Sequence, residues 1–240
     1  PWGSCDKVVI NKDTTVTFTT SRPIKMVYTL DGTTPTPSST IYTSPIKVSD
    51  NTIIKIATVL PSGKMSRIRT VNVEKQTYAP AIKIDGVKSG LQMSRVKGNF
   101  LKVDDLNWTD AEWEKSIISN LEQIKIQRKD DGATLRGANN YAAIAEGYIN
   151  IPEDGVYYLS SRLEQVWIDN KLVINNEGDV KASTMNDSSV ALAKGLHPIK
   201  VVFLANIIGG WPSWWSSTAI EMRKDNEKEF TAVGGSQLFR

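Results

Sequence analysis

Short runs of β-branched and aromatic residues, cut by turn-forming residues every roughly 8–12 positions, constrain this chain more than any other feature. Thr14-Thr-Val-Thr-Phe-Thr19 alternates with period two, as a half-buried strand does when its side chains point in turn to core and solvent. Similar segments cover Asp6–Asn11, Ile24–Leu30, Ile41–Tyr42, Pro45–Val48, Thr52–Val59 and Ile68–Val73. Between them stand Asp31-Gly-Thr-Thr-Pro-Thr-Pro-Ser-Ser39 and Pro61-Ser-Gly63. There Gly admits positive φ, Pro fixes φ, and Asp or Ser bonds nearby amides. Seven short strands spaced this way predict an immunoglobulin-like β-sandwich.

A boundary is expected near Gln76–Pro80, with a linker over about 76–85, dividing the chain into 1–78 and 79–240. The second part is also strand-rich. Tyr148–Leu159 around Pro152-Glu-Asp-Gly155, Gln165–Ile174 around Asp169-Asn170, and Val190–Leu204 around Lys194-Gly195 each read as a hairpin. Thr218–Arg223 reads as a long final strand. The spacing predicts a β-barrel or double sheet. Trp108–Trp113 suggests a loop or one helical turn, with Thr109 as cap.

Of the 240 residues, 29 are basic and 26 acidic, a net charge of +3 without any Lys/Arg block. Charge therefore gives no support to nucleic-acid or membrane-surface binding. Cys5 is the sole cysteine, which excludes an intrachain disulfide. No apolar run is long enough to span a membrane as a helix. The chain begins at Pro1 rather than Met, as expected of a piece of something longer.

Two segments resemble known families. Val27-Tyr-Thr-Leu-Asp-Gly-Thr-Thr-Pro-Thr36, with Ser39, Tyr42 and Pro45-Ile46, resembles the chitobiase/β-hexosaminidase C-terminal domain. That small sandwich follows catalytic domains in family-twenty glycosidases. The second segment is similar to a protective-antigen (PA-14) domain, a β-barrel of glycosidases, adhesins and toxins. The similarity rests on Gly90-Leu91, Gly98-Asn-Phe100, Glu146-Gly-Tyr-Ile-Asn-Ile-Pro-Glu-Asp-Gly155 with Tyr157, Val166–Val173, Leu192–Lys200 and Ser236–Phe239.

These resemblances imply an all-β accessory region of a secreted, periplasmic or cell-surface bacterial glycoside hydrolase, a β-N-acetylhexosaminidase. Its partners would be the parent's catalytic domain and a glycan. A stand-alone carbohydrate-binding or adhesin module, or a structural spacer, is the alternative. No catalytic residue is assigned. The family-twenty mechanism uses a neighbouring Asp-Glu pair, and no Asp-Glu dipeptide occurs here. His197, the only histidine, is expected to be a turn-to-strand residue; one His without a matched partner makes a weak site. Asp104-Asp105 and Asp130-Asp131 read as turn carboxylates.

No cofactor or metal is expected either. Lectin-like PA-14 domains bind calcium through adjacent aspartates before the Asp169-type hairpin, and the resemblance places that pair on Ser161 and Arg162. Trp167, at an alternating strand position, is expected in the core. The candidate binding residues are Trp211, Trp214 and Trp215. They sit in a segment with Gly209-Gly210 and Pro212 that reads as an excursion rather than a strand. Sugar C–H faces stack on such rings; packing against another domain is the competing role.

Overall fold

The computed structural model describes residues 7–107, 113–125, 141–177, 186–205, 207–208, 211–212 and 217–240, with backbone alone at 186–187, 207–208 and 211–212. The chain divides into two compact units. One is Pro1–Tyr78 with Ser189–Ala191; the other is Ala79–Ser188 with Leu192–Arg240. Among the described residues there is no α-helix, and none is long and apolar enough to cross a membrane.

The first unit has the seven strands expected: β1 (Lys7–Ile10), β2 (Thr14–Val16), β3 (Lys25–Thr29), β4 (Thr40–Ile41), β5 (Ile46–Val48), β6 (Thr52–Val59) and β7 (Arg69–Lys75). They form a five-stranded sheet, β1-β7-β6-β3-β4, and a two-stranded one, β2-β5. Inward positions recur with period two, so Val16, Ile46 and Val48 of the small sheet meet Ile54, Ile56, Val71 and Val73 of the large one. The Asp31 turn is a self-bonded device. Its Oδ1 accepts from the Thr33 amide at 3.0 Å and the Thr33 hydroxyl at 2.6 Å. Those bonds hold its carboxyl below the usual range, the Thr33 hydroxyl contributing most. Gly32 turns the chain at φ 77°. Tyr42 packs edge-on against Phe18 and Tyr28, and its hydroxyl oxygen accepts the Phe18 amide at 2.9 Å. The motif's residues thus help build the sandwich.

The second unit is a double sheet, not a closed barrel. Its larger sheet takes β8 (Leu91–Lys97), β9 (Glu114–Ile118), β10 (Tyr141–Ile151), β12 (Gln165–Ile168), β13 (Lys171–Asn175) and β15 (Gly195–Ala205) in the order β13-β12-β15-β10-β8-β9. The short β20 (Leu238–Phe239) joins it on β10. The smaller sheet runs β14 (Asn186–Leu192), β11 (Gly155–Ser161), β18 (Ile220–Lys224), β19 (Thr231–Ala232).

This arrangement corrects two of the three expected hairpins. The Pro152–Gly155 turn joins β10 to β11, and the Lys194-Gly195 turn joins β14 to β15, yet each pair lies in different sheets. Both turns reverse the chain as arches from one sheet to the other. Only β12–β13 is a paired hairpin, closed by Asp169 (φ 51°) and Asn170 (φ 60°). Both central residues have positive φ, the mark of the turn whose twist suits a two-residue hairpin.

The two faces of the larger sheet differ. Inward, Ala143, Ala145, Ile149, Ile199, Val201 and Phe203 are buried. Outward, Ala142, Val202 and Leu204 lie under Val103, Leu106, Phe100 and Trp113. That covering segment carries a 3-10 turn, Val103–Asp105, where Asp105 accepts the amides of Leu101 and Lys102, both at 3.0 Å. Asp105 is thus a turn carboxylate as expected; Trp108 and Thr109 lie outside the described residues, as do Asp130 and Asp131.

Candidate functional site

The tryptophan segment leaves the long strand β15 and returns before β18. Within it, β16 (Ile207–Ile208) and β17 (Trp211–Pro212) pair antiparallel, Ile207 with Pro212 and Ile208 with Trp211. The excursion is therefore partly strand, although Gly and Pro argued against one. Trp214 and Trp215 lie outside the described residues, and so does the side chain of Trp211.

Both feet of the excursion are anchored. On the incoming side, Glu164, 1% exposed, accepts the Leu204 amide at 2.7 Å. On the outgoing side, the Thr218 amide donates to Glu122 at 3.1 Å, and the Thr218 hydroxyl donates to the Leu121 carbonyl at 2.9 Å. Partial burial pushes the Glu122 carboxyl up, but Lys125 and Thr218 together hold it below its ordinary value. Charge-assisted bonds of this kind are the stronger ones.

The corner where the family resemblance places a calcium site is already occupied by protein bonds. The buried Ser161 donates its hydroxyl to the Ala219 carbonyl at 2.9 Å and accepts the Leu163 amide at 3.2 Å. Its carbonyl accepts from Asn176 Nδ2 at 2.8 Å. Arg162 adds a cation. Calcium requires six to eight oxygens, several of them anionic; Ser161 and Arg162 do not fit it. Among the described residues, no three His, Cys, Asp or Glu side chains are grouped for a metal.

His197 is fully buried, and both ring nitrogens are engaged: Nδ1 lies 2.8 Å from Asp169 Oδ2 and Nε2 2.8 Å from the Ala193 carbonyl. It ties the β12–β13 turn to the strand start, the structural role expected of it.

Trp167 differs from expectation. It is half-buried on the outer face, not in the core. Val166 and Ile168, its neighbours, are the inward residues. Its indole N–H donates to Gln165 Oε1 at 3.0 Å, and Lys200 Nζ lies over the ring at 4.7 Å from its centroid. The alternation was legible; which phase faced the core was not.

Residues 9–70 match the model of the chitobiase/beta-hexosaminidase C-terminal domain. Residues 121–228 match that of the PA14 domain. The chain is thus similar to a chitobiase/beta-hexosaminidase C-terminal domain in its first part and to a PA14 domain in its second. Over all 240 residues it is 40% identical to a beta-hexosaminidase of Porphyromonas gingivalis, spanning 31% of that protein. The chain therefore covers about a third of the relative's length. Among solved structures, the PA14 domain of the antifreeze protein MpAFP aligns with 68% of this chain and 95% of its own, at 12% identity and TM-score 0.45. Epithelial adhesin 9 A domain from Candida glabrata, in complex with Galb1-3GlcNAc, aligns with 66% of this chain and 92% of its own, at 13% identity and TM-score 0.44.

Proposed function

We propose that this chain is the non-catalytic accessory region of a secreted bacterial β-N-acetylhexosaminidase, supporting its catalytic domain and contacting glycan. The observation that carries this reading is full-length similarity to about a third of a beta-hexosaminidase. Neither domain matched is a catalytic one by the chemistry present: the sequence has no Asp-Glu dipeptide, and glycosidases ordinarily need two cooperating carboxyl groups. Residues 1–78 and 79–240 act as separate modules in this account. Trp211, Trp214 and Trp215 form a contact surface for sugar or for the catalytic domain in this account, since three tryptophans within five residues supply the aromatic side chains that interfaces favour.

The test is hydrolysis of aryl β-N-acetylglucosaminide and galactosaminide by the purified chain and by the longer protein that contains it. Turnover by the longer protein alone supports the reading. Turnover that stays with the rigorously purified chain, or no such activity in the longer protein, overturns it.

A further inference from the structure

The outer face of the larger sheet in the second unit is covered at one end and open at the other. Beyond the cover of Val103, Leu106 and Trp113, four strands present one lateral row. Gln92 of β8 stands opposite Glu146 of β10, Glu146 opposite Lys200 of β15, and Lys200 opposite Trp167 of β12. Tyr148, two residues along β10, shares their face, and Asn170 closes the rim. Together they line a groove of about 440 Å³, within the roughly 300–1,000 Å³ of small-ligand sites.

The lining selects among ligands. Two aromatic rings offer apolar plates, yet a wholly apolar ligand would strip water from a carboxylate, an ammonium, a guanidinium (Arg240) and two amides. A strongly anionic ligand would find Lys200 and Arg240 but also meet Glu146. A pyranose matches both halves of the lining: its C–H face suits the rings, and its hydroxyls both donate and accept. Lys200 sits on a flexible stem, so its ammonium can swing from the indole to a hydroxyl.

The site is also preorganised, which lowers the entropy lost on binding. Gln165, 8% exposed, holds the Trp167 indole N–H and donates in turn to Glu177 at 3.3 Å. Buried His197 holds Asp169 at 2.8 Å, and so fixes the turn that presents Asn170. Beneath the groove, Gly147 lacks the side chain that would collide with the Phe239 carbonyl of β20.

We propose that this groove is a calcium-independent binding site for a β-linked N-acetylhexosamine glycan, with Trp167 as its aromatic platform. The choice of sugar rests on the accessory reading above; the site itself rests on the groove. None of its described lining residues belongs to the tryptophan segment.

The experiment is a titration of the full chain, in EDTA, with N,N′,N″-triacetylchitotriose and separately with the methyl β-glycoside of N-acetylgalactosamine. Indole and backbone resonances would be followed by NMR. The expected result is a shift of the Trp167 indole with at least one probe. Trp167→Ala should weaken binding on the order of tenfold or more, as loss of an aromatic anchor does. Gln92→Ala, on the exposed edge of the row, should weaken it without altering the melt, which keeps the test decisive if Trp167→Ala unfolds. The Trp167 indole shift should persist in the combined Trp211, Trp214 and Trp215 alanine variant, whatever those rings contribute elsewhere. No shift with either probe, or binding unchanged by both Trp167→Ala and Gln92→Ala, overturns the proposal. Hydrolysis by the longer protein is measured independently, so a failed groove leaves the accessory reading standing, and a failed accessory reading removes only the choice of sugar.

Discussion

Gly147→Ala is the sharpest test of how the second unit closes. Gly147 lies on the inward side of β10, where β20 pairs through Tyr148 with Phe239 and Ile149 with Leu238. A Cβ built there overlaps the Phe239 carbonyl oxygen and comes 2.7 Å from Leu91 Cδ2, inside the 3.0 Å that real Cβ atoms respect. One obstacle is backbone and the other a fully buried side chain, so neither yields cheaply. Overpacking of this kind costs about 1–3 kcal/mol. If β20 instead lets go, Leu238, 0% exposed, loses its burial, worth about 1.5–3 kcal/mol. Either route predicts a loss of about 2–3 kcal/mol and a melting temperature lower by roughly 5–10 °C for a unit of this size. The assay is urea unfolding of the parent, Gly147→Ala, a truncation lacking Leu238–Arg240, and the two combined. Residues that act through one contact are not additive. With β20 removed only the Leu91 overlap remains, so the alanine should cost clearly less than in the parent. Equal cost in both backgrounds would refute the account.

Other perturbations follow from the same structure. Calcium in millimolar concentration should not raise the melting temperature above that in EDTA, whereas a ligand at a hundred times its dissociation constant would add about 2.7 kcal/mol; a clear calcium-dependent rise contradicts the reading of Ser161 and Arg162. His197→Ala should cost about 3 kcal/mol, through a cavity and two acceptors left without their buried partner; a melt within 1 °C of the parent would show the bonds to be idle. Burial, with Glu153, Glu227 and Asp154 nearby, raises the Tyr157 hydroxyl to about 12. Because the folded state holds that proton more tightly, its contribution is intact below the unfolded value near 10 and is lost as pH rises toward 12. Tyr157→Phe should flatten that alkaline loss of stability in urea titrations, and an unchanged slope would argue against it.

Much of the fold was legible because period-two alternation and turn chemistry act locally. All seven strands of the first unit lie where Thr14–Thr19 and its counterparts put them, within the usual uncertainty of ends. The Asp169-Asn170 hairpin was equally visible, since both residues tolerate positive φ. Pro152–Gly155 and Lys194-Gly195 misled for a physical reason: a reversal is set by local dihedrals, but whether the two arms pair or stack depends on where their apolar faces find partners. The groove was hidden for a related reason. Trp167, Lys200, Glu146 and Gln92 are scattered over more than a hundred positions, and only register brings them into one row. Alternation places Trp167 on one face without saying which face is buried. The signal that could have marked it is Gln165, two residues earlier on the same face, a polar neighbour suited to hold an indole N–H. Gly147 carried a hint as well, being a glycine inside a strand, where close backbone approach is a common cause.

The measurement closest to the central claim compares the longer protein with and without residues 1–240. Rates would be taken on a small aryl β-N-acetylglucosaminide and on a polymeric or surface-bound glycan. Provided the shortened protein keeps its fold, an accessory, glycan-contacting region predicts little change on the small substrate and a several-fold fall on the polymer. Equal activity of both proteins on both substrates would contradict glycan contact, and a small substrate cleaved by the isolated chain would contradict the accessory role itself.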